Sequence, residues 1–389
     1  MANSWHSVEA HADTYERLSH PKVNVSVVPN HESGLGNRIF SRDLVINSHW
    51  MEANLRWREV FHQNQIEIMT YDLIRPEDAD VVIVMDIPEK RSFVRKLKKQ
   101  APQAKFILLL LESAFKRPHW FRKENHTEFD AVITYNPKLV DNQRYFRFYF
   151  ANSTGGMTIR DLPFVERKPC ALVNTNYYEG FTGEQRPWHL LKFYRDIQRN
   201  GWEFGLSDIL RVESRISYAK RRELARCAGL RPGNLLEIYG NGWDGRNYGW
   251  FHRFFPDHPY SGAKGPFAGN KLELMAGYRF ALTYENYVSD EGYISEKIFD
   301  ALLAGVVPIY LGDDRILDYV DQACFVDARQ FAKPSDIWDF VANCPEKKWS
   351  EMRNAGRDYL ESERFQRFTP DYFAQSFLNA VNAVMRNHP

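Results

Sequence analysis

Residues 284–312 read YENYVSDEGYISEKIFDALLAGVVPIYLG, so a strand end, a charged loop, a helix and a second strand follow with scarcely a gap. Ser295 suits the N-cap of a helix whose first turn carries Glu296 and Lys297. Apolar residues then recur at helical spacing, and Gly305 suits the helix end. The stretch therefore predicts a β-α-β unit, the building block of a parallel sheet.

The start of this predicted helix suits both an anion and hydroxyl groups. Helix N-terminal N–H groups and the helix dipole attract anions, and Lys297 adds a full positive charge. Glu296 would repel a bare phosphate, so it better matches sugar or ribose hydroxyls, and a nucleotide-sugar would satisfy both residues. The alternative, two ordinary first-turn charges, is equally well supported by this stretch alone. Asp290 and Glu291 in the loop are expected to be solvated.

Strand-like and helix-like segments alternate along the whole chain. Strands are predicted at 23–28, 66–72, 80–85, 105–111, 130–136, 169–174, 235–240, 278–285, 306–312 and 323–328. Helices are predicted at 88–102, 187–200, 217–229, 296–304, 335–343 and 346–362. This alternation predicts an α/β fold with parallel sheets covered on both faces.

The 389 residues are too many for one ordinary core. We predict an N-terminal domain over 1–160 and a C-terminal domain over 161–365. A final helix in 366–389 is expected to pack back on the N-terminal domain. Since ligands of open α/β sheets bind outside the carboxyl ends of the strands, the default site is a cleft between the two domains.

Composition excludes several classes of function. Lys plus Arg number 51 and Asp plus Glu 50, a balance that gives no case for nucleic-acid binding. The four cysteines are far apart and lack metal-ligand spacing, which favours a reducing compartment. The longest apolar run, 106–111, is too short to span a bilayer. We expect a cytoplasmic protein, with peripheral association to the inner face of the membrane left open.

Two further stretches offer candidate site residues. Glu112 ends the most hydrophobic predicted strand of the first half, where partial desolvation could raise its pKa and make it a general base. Pairing with a nearby basic side chain is the alternative. The run EIYGNGWDGRNYG (237–249) could bring backbone close to a ligand, with Arg246 clamping a diphosphate. As a bare glycine pattern this run is weak, and an ordinary surface loop is the better explanation.

Together these pieces resemble the α1,3/4-fucosyltransferase family, the inverting, GDP-fucose-dependent enzymes of GT-B architecture. The diagnostic block of that family runs F-E-N, a short loop, Y-[IV]-[ST]-E-K, an apolar helix and G-x-[VI]-P-[VI]-x-x-G. This chain has YEN, YISEK and GVVPIYLG in the same order, with Tyr284 in place of the usual Phe. Looser similarity, including SYAKRREL (217–224), extends over roughly 105–330.

The resemblance implies two Rossmann-like domains facing a cleft, and a role for each matching residue. Glu112 would be the general base, and Glu296 would lie near the ribose and the developing oxocarbenium charge. Arg221 and Lys297 would hold the donor diphosphate, while Arg246 would assist them by its loop position alone. Asn286 and Tyr293 would complete the donor-binding residues.

The implied reaction moves L-fucose from GDP-fucose to a glycan hydroxyl, in an α-1,3/4-type linkage, by a single displacement. No metal or other cofactor is implied, since GDDR (312–315) and MDIP (85–88) are not DxD elements. The implied partners are a nucleotide-sugar donor and a glycan acceptor, in the manner of bacterial-type enzymes that build surface polysaccharide. Another nucleotide-sugar donor, or a non-catalytic nucleotide- or sugar-binding module, stays open.

Overall fold

The computed structural model describes residues 18–41, 48–87, 91–114, 118–152, 159–175, 217–243, 260–288 and 290–386. The chain divides into two compact units. Unit 1 comprises Met1–Ser153 with Gln366–Pro389, and unit 2 comprises Thr154–Phe365. Each unit contains a six-stranded parallel sheet with helices, so the predicted α/β architecture is confirmed.

The sheet of unit 1 has the strand order β2-β1-β3-β4-β5-β6. Its strands are β1 (Val23–Val28), β2 (Ile66–Thr70), β3 (Val81–Met85), β4 (Lys105–Leu110), β5 (Ala131–Thr134) and β6 (Tyr145–Arg147). The helices α1 (Ser48–Gln63) and α2 (Arg91–Gln100) precede β2 and β4. Every residue of β3 is buried, because a central parallel strand is covered on both faces, and its sequence is accordingly a continuous apolar run.

The sheet of unit 2 has the strand order β12-β11-β10-β7-β8-β9. Its strands are β7 (Lys168–Val173), β8 (Leu236–Tyr239), β9 (Ala263–Gly265), β10 (Tyr278–Tyr284), β11 (Val307–Leu311) and β12 (Val326–Asp327). Its helices are α3 (Ser217–Gly229), α4 (Lys271–Met275), α5 (Glu296–Leu303), α6 (Pro334–Asn343), α7 (Glu346–Glu361) and α8 (Glu363–Gln366). The order reverses between β7 and β10, and open α/β sheets bind ligands at such a switch point.

The last helix, α9 (Pro370–Arg386), belongs to unit 1 and packs against α1. The fully buried Trp57 of α1 lies 4.6 Å from Phe377 of α9 between ring centroids, and 6.4 Å from Phe373. Phe148, which follows β6, lies 6.2 Å from Phe377. Aromatic rings from α1 and α9, which are far apart in the sequence, thus pack in one core of unit 1.

Several short elements differ from the sequence predictions. The strand predicted at 323–328 is reduced to the two residues of β12, because Asp321 accepts a hydrogen bond from the backbone N–H of Ala323 and starts a 3-10 turn. The predictions also lacked β6, β9, α1 and α4, and three of these elements are too short to show a period. The helix predicted at 187–200 lies outside the described residues.

Candidate active site at the strand-order reversal of unit 2

A pocket of about 200 Å³ opens at the carboxyl ends of β7 and β10, where the strand order reverses. It is lined by Val173, Asn174, Thr175, Lys271, Asn286, Glu296 and Lys297. Three of these residues come from the end of β7 and one follows β10. The others begin α4 and α5. The structure therefore brings three predicted site residues together, namely Asn286, Glu296 and Lys297.

The fully buried Glu285 ties the end of β10 to the start of α5. Its carboxylate accepts hydrogen bonds from the backbone N–H of Ser295 at 2.8 Å and from the Ser295 hydroxyl at 2.6 Å. Lys297 Nζ lies 3.4 Å from the same carboxylate. Ser295 occupies the predicted N-cap position, but its hydroxyl does not cap α5, because it donates to this carboxylate instead. Gly305 has a φ of +63° just beyond α5, as predicted for the helix end.

The charged groups around the pocket affect one another's pKa values. Burial raises the pKa of Glu285, and the ammonium of Lys297 only partly offsets this effect. Burial alone would lower the pKa of Lys297, but Glu296 and Glu285 outweigh it, and the net shift is upward. Lys297 Nζ lies 3.5 Å from Glu296 Oε1. Lys297 therefore carries its positive charge at neutral pH, next to the lining carboxylate.

Arg221 is buried behind the pocket lining, where it bonds to the end of β10 and to Asn286. This α3 residue is 1% exposed and does not belong to the described pocket lining. Its Nη2 donates to the backbone carbonyl of Glu285 at 3.1 Å and to Asn286 Oδ1 at 3.0 Å. Because the Asn286 oxygen accepts from Arg221, the guanidinium determines how the Asn286 amide is oriented.

The loop before α5 is braced by Asp313, an acid of the GDDR sequence. Asp313 accepts from the backbone N–H of Gly292 at 2.7 Å and from that of Arg315 at 2.8 Å, and burial raises its pKa. The half-buried Tyr293 follows Gly292 in this braced turn. The prediction that Asp290 is solvated is wrong, since only 3% of this residue is exposed.

The first glycine of the 237–249 run serves the contact between β8 and β7. Gly240 has a φ of +128°, and a Cβ at this position would lie 2.3 Å from the backbone carbonyl oxygen of Asn174. Trp243 Nε1 donates to the same carbonyl at 2.6 Å. The lack of a side chain at Gly240 thus allows the backbone after β8 to lie against the pocket-lining end of β7. Arg246 lies outside the described residues.

In unit 1, Glu112 follows β4 and is half-buried. Its backbone N–H lies 3.3 Å from Oδ1 of Asp86, which also accepts from the N–H of Leu111 at 2.8 Å. Asp86 follows β3 with a φ of +60°, and Asn30 donates to its Oδ2 at 3.3 Å. Burial raises the pKa of Asp86 to about 6.

Sequence reasoning set Asp86 aside, because MDIP is not a DxD element, and it missed Lys271. The criterion that selected Glu112, an acid directly after an apolar strand, applies equally to Asp86. Lys271 follows Asn270, which caps α4 by accepting from two backbone N–H groups. That Asn-Lys pair before an apolar run marks a helix start, but α4 is too short for the pattern to stand out.

No group of three or more His, Cys, Asp or Glu side chains among the described residues could hold a metal ion. None of the described helices is long and apolar enough to cross a membrane. The cysteines are free thiols, and burial raises the pKa of Cys324 to about 12.

Comparison with known proteins locates the family signal in unit 2. Residues 261–354 match the model of the C-terminal region of glycosyltransferase family 10 (fucosyltransferase). This stretch is therefore similar to a family 10 domain. This domain contains Lys271, Asn286, Glu296 and Lys297, so the resemblance predicted from YEN, YISEK and GVVPIYLG is confirmed.

Curated relatives match over short stretches of this chain. GDP-fucose protein O-fucosyltransferase 3 of Gallus gallus is 40% identical over 74 residues, which are 19% of this chain and 15% of that protein. Alpha-(1,3)-fucosyltransferase FucT of Helicobacter pylori is 32% identical over 72 residues, or 18% and 15% of the two chains. This chain thus aligns with only 15% of the length of each of these two relatives.

Solved structures share the fold of the whole chain. A crystal structure of an alpha1,3-fucosyltransferase superposes with a TM-score of 0.52 at 14% identity, covering 98% of this chain and 94% of that one. Anabaena Alr3699/HepE in complex with UDP-glucose gives a TM-score of 0.51 at 9% identity, covering 93% and 100%. The predicted fold class, with two Rossmann-like sheets as in GT-B glycosyltransferases, is confirmed.

Proposed function

We propose that this protein is a glycosyltransferase that moves L-fucose from GDP-fucose to a hydroxyl of a glycan acceptor. One observation carries the proposal. Asn286, Glu296 and Lys297 line one pocket at the strand-order reversal, inside the family 10 domain. A strand-order reversal is where α/β folds bind nucleotides, and this lining combines a cation with hydroxyl-accepting groups.

In the proposed donor site, Lys297 binds the diphosphate and stabilises the charge that develops as GDP leaves. Glu296 accepts hydrogen bonds from ribose or sugar hydroxyls and faces the developing oxocarbenium charge. Tyr293 and Asn286 complete the donor site, and Arg221 orients Asn286 while adding positive charge behind it. Arg246 is assigned to the diphosphate by its position in the sequence alone. These cations would take the place of a metal ion.

In the proposed reaction, Glu112 accepts the proton of the acceptor hydroxyl. The hydroxyl oxygen attacks the anomeric carbon, the bond from that carbon to the diphosphate oxygen breaks, and GDP leaves with inversion. Support comes from the position of Glu112 at the carboxyl end of β4 and from Asp86, which fixes its backbone. A linkage of the α-1,3/4 type follows the same family resemblance.

Calorimetric titration of GDP, UDP and ADP, followed by transfer assays from GDP-fucose to a panel of glycans, tests the proposal. We expect preference for GDP and transfer that depends on the acceptor. A preference for UDP would overturn the fucose assignment in favour of another nucleotide-sugar. Binding of GDP without transfer or hydrolysis of any GDP-sugar would instead identify a non-catalytic binding module.

A further inference from the structure

A second lysine lines the same pocket. Lys271 is the first residue of α4, and the Asn270 side chain holds that helix start by accepting from the N–H groups of Leu272 and Glu273. Lys271 Nζ lies 2.6 Å from Oδ2 of Asp300, a fully buried residue of α5. Since Asp300 lies about one turn after Glu296, this ion pair attaches α4 beside the pocket-lining end of α5.

The lining presents more positive than negative charge to the pocket. Lys271 and Lys297 both line it, and Glu296 is the acid of the described lining. Glu285 and Asp300 are fully buried behind these side chains. Burial would lower the pKa of Lys271, but Asp300 and then Glu296 outweigh it and raise the pKa, while Lys297 opposes them. Both ammonium groups are therefore charged and within electrostatic range of one another.

We propose that Lys271 binds the diphosphate of the nucleotide-sugar donor together with Lys297, and that Asp300 is the positioning residue for Lys271. This inference rests on the proposed function. A 200 Å³ pocket is smaller than the roughly 300–1,000 Å³ of pockets that enclose a drug-sized ligand. Its size suits the charged part of the donor, with the nucleoside and sugar extending beyond it.

A purely structural role for Lys271 would look different. A lysine that only neutralised Asp300 could lie wholly inside the core, whereas the Lys271 side chain is 31% exposed and contributes to the pocket surface. A diphosphate needs more than one cation, and Lys297 already shares its ammonium between Glu285 and Glu296. Lys271 supplies the additional positive charge.

The test compares the binding of GDP and of guanosine by the wild type and three variants. The double variant Lys271→Met, Asp300→Asn removes both charges at similar volume and leaves no buried acid without a counterion. We expect it to bind GDP about 10- to 100-fold more weakly, in line with hydrogen bonds to charged groups, and guanosine unchanged. Asp300→Asn alone keeps the lysine but removes the carboxylate that positions it, so it should bind GDP more weakly than the wild type and more tightly than the double variant, with guanosine unchanged. Lys264→Met is the control, since Lys264 pairs with Glu237 outside this pocket.

The outcomes separate this inference from the proposed function. If the wild type binds no nucleoside diphosphate, both fail. If the wild type binds GDP and the double variant binds it within twofold, Lys271 alone is excluded from the diphosphate site. Equal losses for GDP and guanosine would also overturn the inference, because they indicate a general disturbance. Should the double variant fail to fold, Lys271→Arg and Lys271→Gln replace it, with binding retained in the first and lost in the second.

Discussion

At the scale of single residues, Lys297 is where sequence and structure agree most closely. The YISEK motif predicts a cation in the first turn of a helix, and the structure places Lys297 there with its ammonium beside two carboxylates. Local patterns suffice for this residue because helix start, strand end and charge are neighbours in the sequence. They fail for Asp86 and Lys271, whose partners Leu111 and Asp300 lie about 25 to 30 residues away along the chain.

Replacing Lys297 by Ala should weaken GDP binding and slow transfer together, since the ammonium acts on the leaving diphosphate. We expect a loss of about 10- to 100-fold in affinity, typical of a lost charged hydrogen bond. Calorimetry and initial rates measure the two effects, with Lys264→Ala as the control. Unchanged affinity and rate would exclude Lys297 from the donor site.

Replacing Glu112 by Gln should abolish proton removal from the acceptor and leave GDP binding intact. General-base catalysis typically contributes about 100- to 10,000-fold to the rate, so the transfer rate should decrease by a factor in that range. The isosteric amide retains the backbone bond to Asp86. A variant that transfers sugar at nearly the wild-type rate would assign the base to another residue.

Asp86 should make the stability of unit 1 depend on pH. Its pKa is raised from 3.8 to about 6, so the folded state favours the protonated acid. Stability from this group is complete below pH 3.8 and is lost as pH rises through about 6. A pKa difference of this size between the folded and unfolded states corresponds to about 3 kcal/mol in the free energy of unfolding. Asp86→Asn keeps an acceptor for the Leu111 N–H and should remove this dependence. Urea denaturation of the wild type and of Asp86→Asn at pH 4 and pH 7 measures how the free energy of unfolding changes with pH. An equal change in the two proteins would contradict the prediction.

At the scale of elements, prediction depends on the length and period of each segment. The predicted bounds of β1 and α3 agree with the structure, because 23–28 is strongly β-branched and 217–229 is a long helical run. The three-residue strands β6 and β9 have too few residues for any period, and only their neighbours in the sheet define them. Part of the pocket is unpredictable for the same reason, since Lys271 lies on α4, a helix of only five residues.

The α1–α9 pair should account for much of the stability of unit 1. Phe377→Ala removes a fully buried ring that contacts Trp57, and such truncations typically cost about 3–5 kcal/mol. Gln375→Ala on the exposed face of α9 is the matched control, and its effect should stay within about 0.5 kcal/mol. Urea unfolding midpoints provide the measurement. Equal effects of the two changes would contradict the packing role of α9.

At the scale of the whole molecule, the proposed donor residues and the proposed base belong to different units. The sequence predicts two α/β halves because its strand and helix segments alternate twice, but it does not predict strand order. Order follows from which strands pair over long distances, and it is the reversal between β7 and β10 that creates the pocket.

A fragment of residues 154–365 should therefore bind GDP without transferring sugar. All the described pocket-lining residues lie in this range, whereas Glu112 does not. Circular dichroism checks that the fragment is folded, and calorimetry compares it with the full chain and with the fragment carrying Lys297→Ala. A folded fragment that binds no GDP, when the full chain does, would show that unit 1 is needed for donor binding.

The bonds between Glu285 and Ser295 have a consequence for how this protein can diverge. They hold both ends of the connecting loop at a fixed separation, and the loop-closure entropy that a longer insertion adds grows only slowly with its length. An insertion beside Glu291 that keeps the buried Tyr287, Val288 and Asp290 should therefore leave the pocket-lining ends of β10 and α5 in place. The length of this loop can change in evolution while the bonds between Glu285 and Ser295 preserve the geometry of the site.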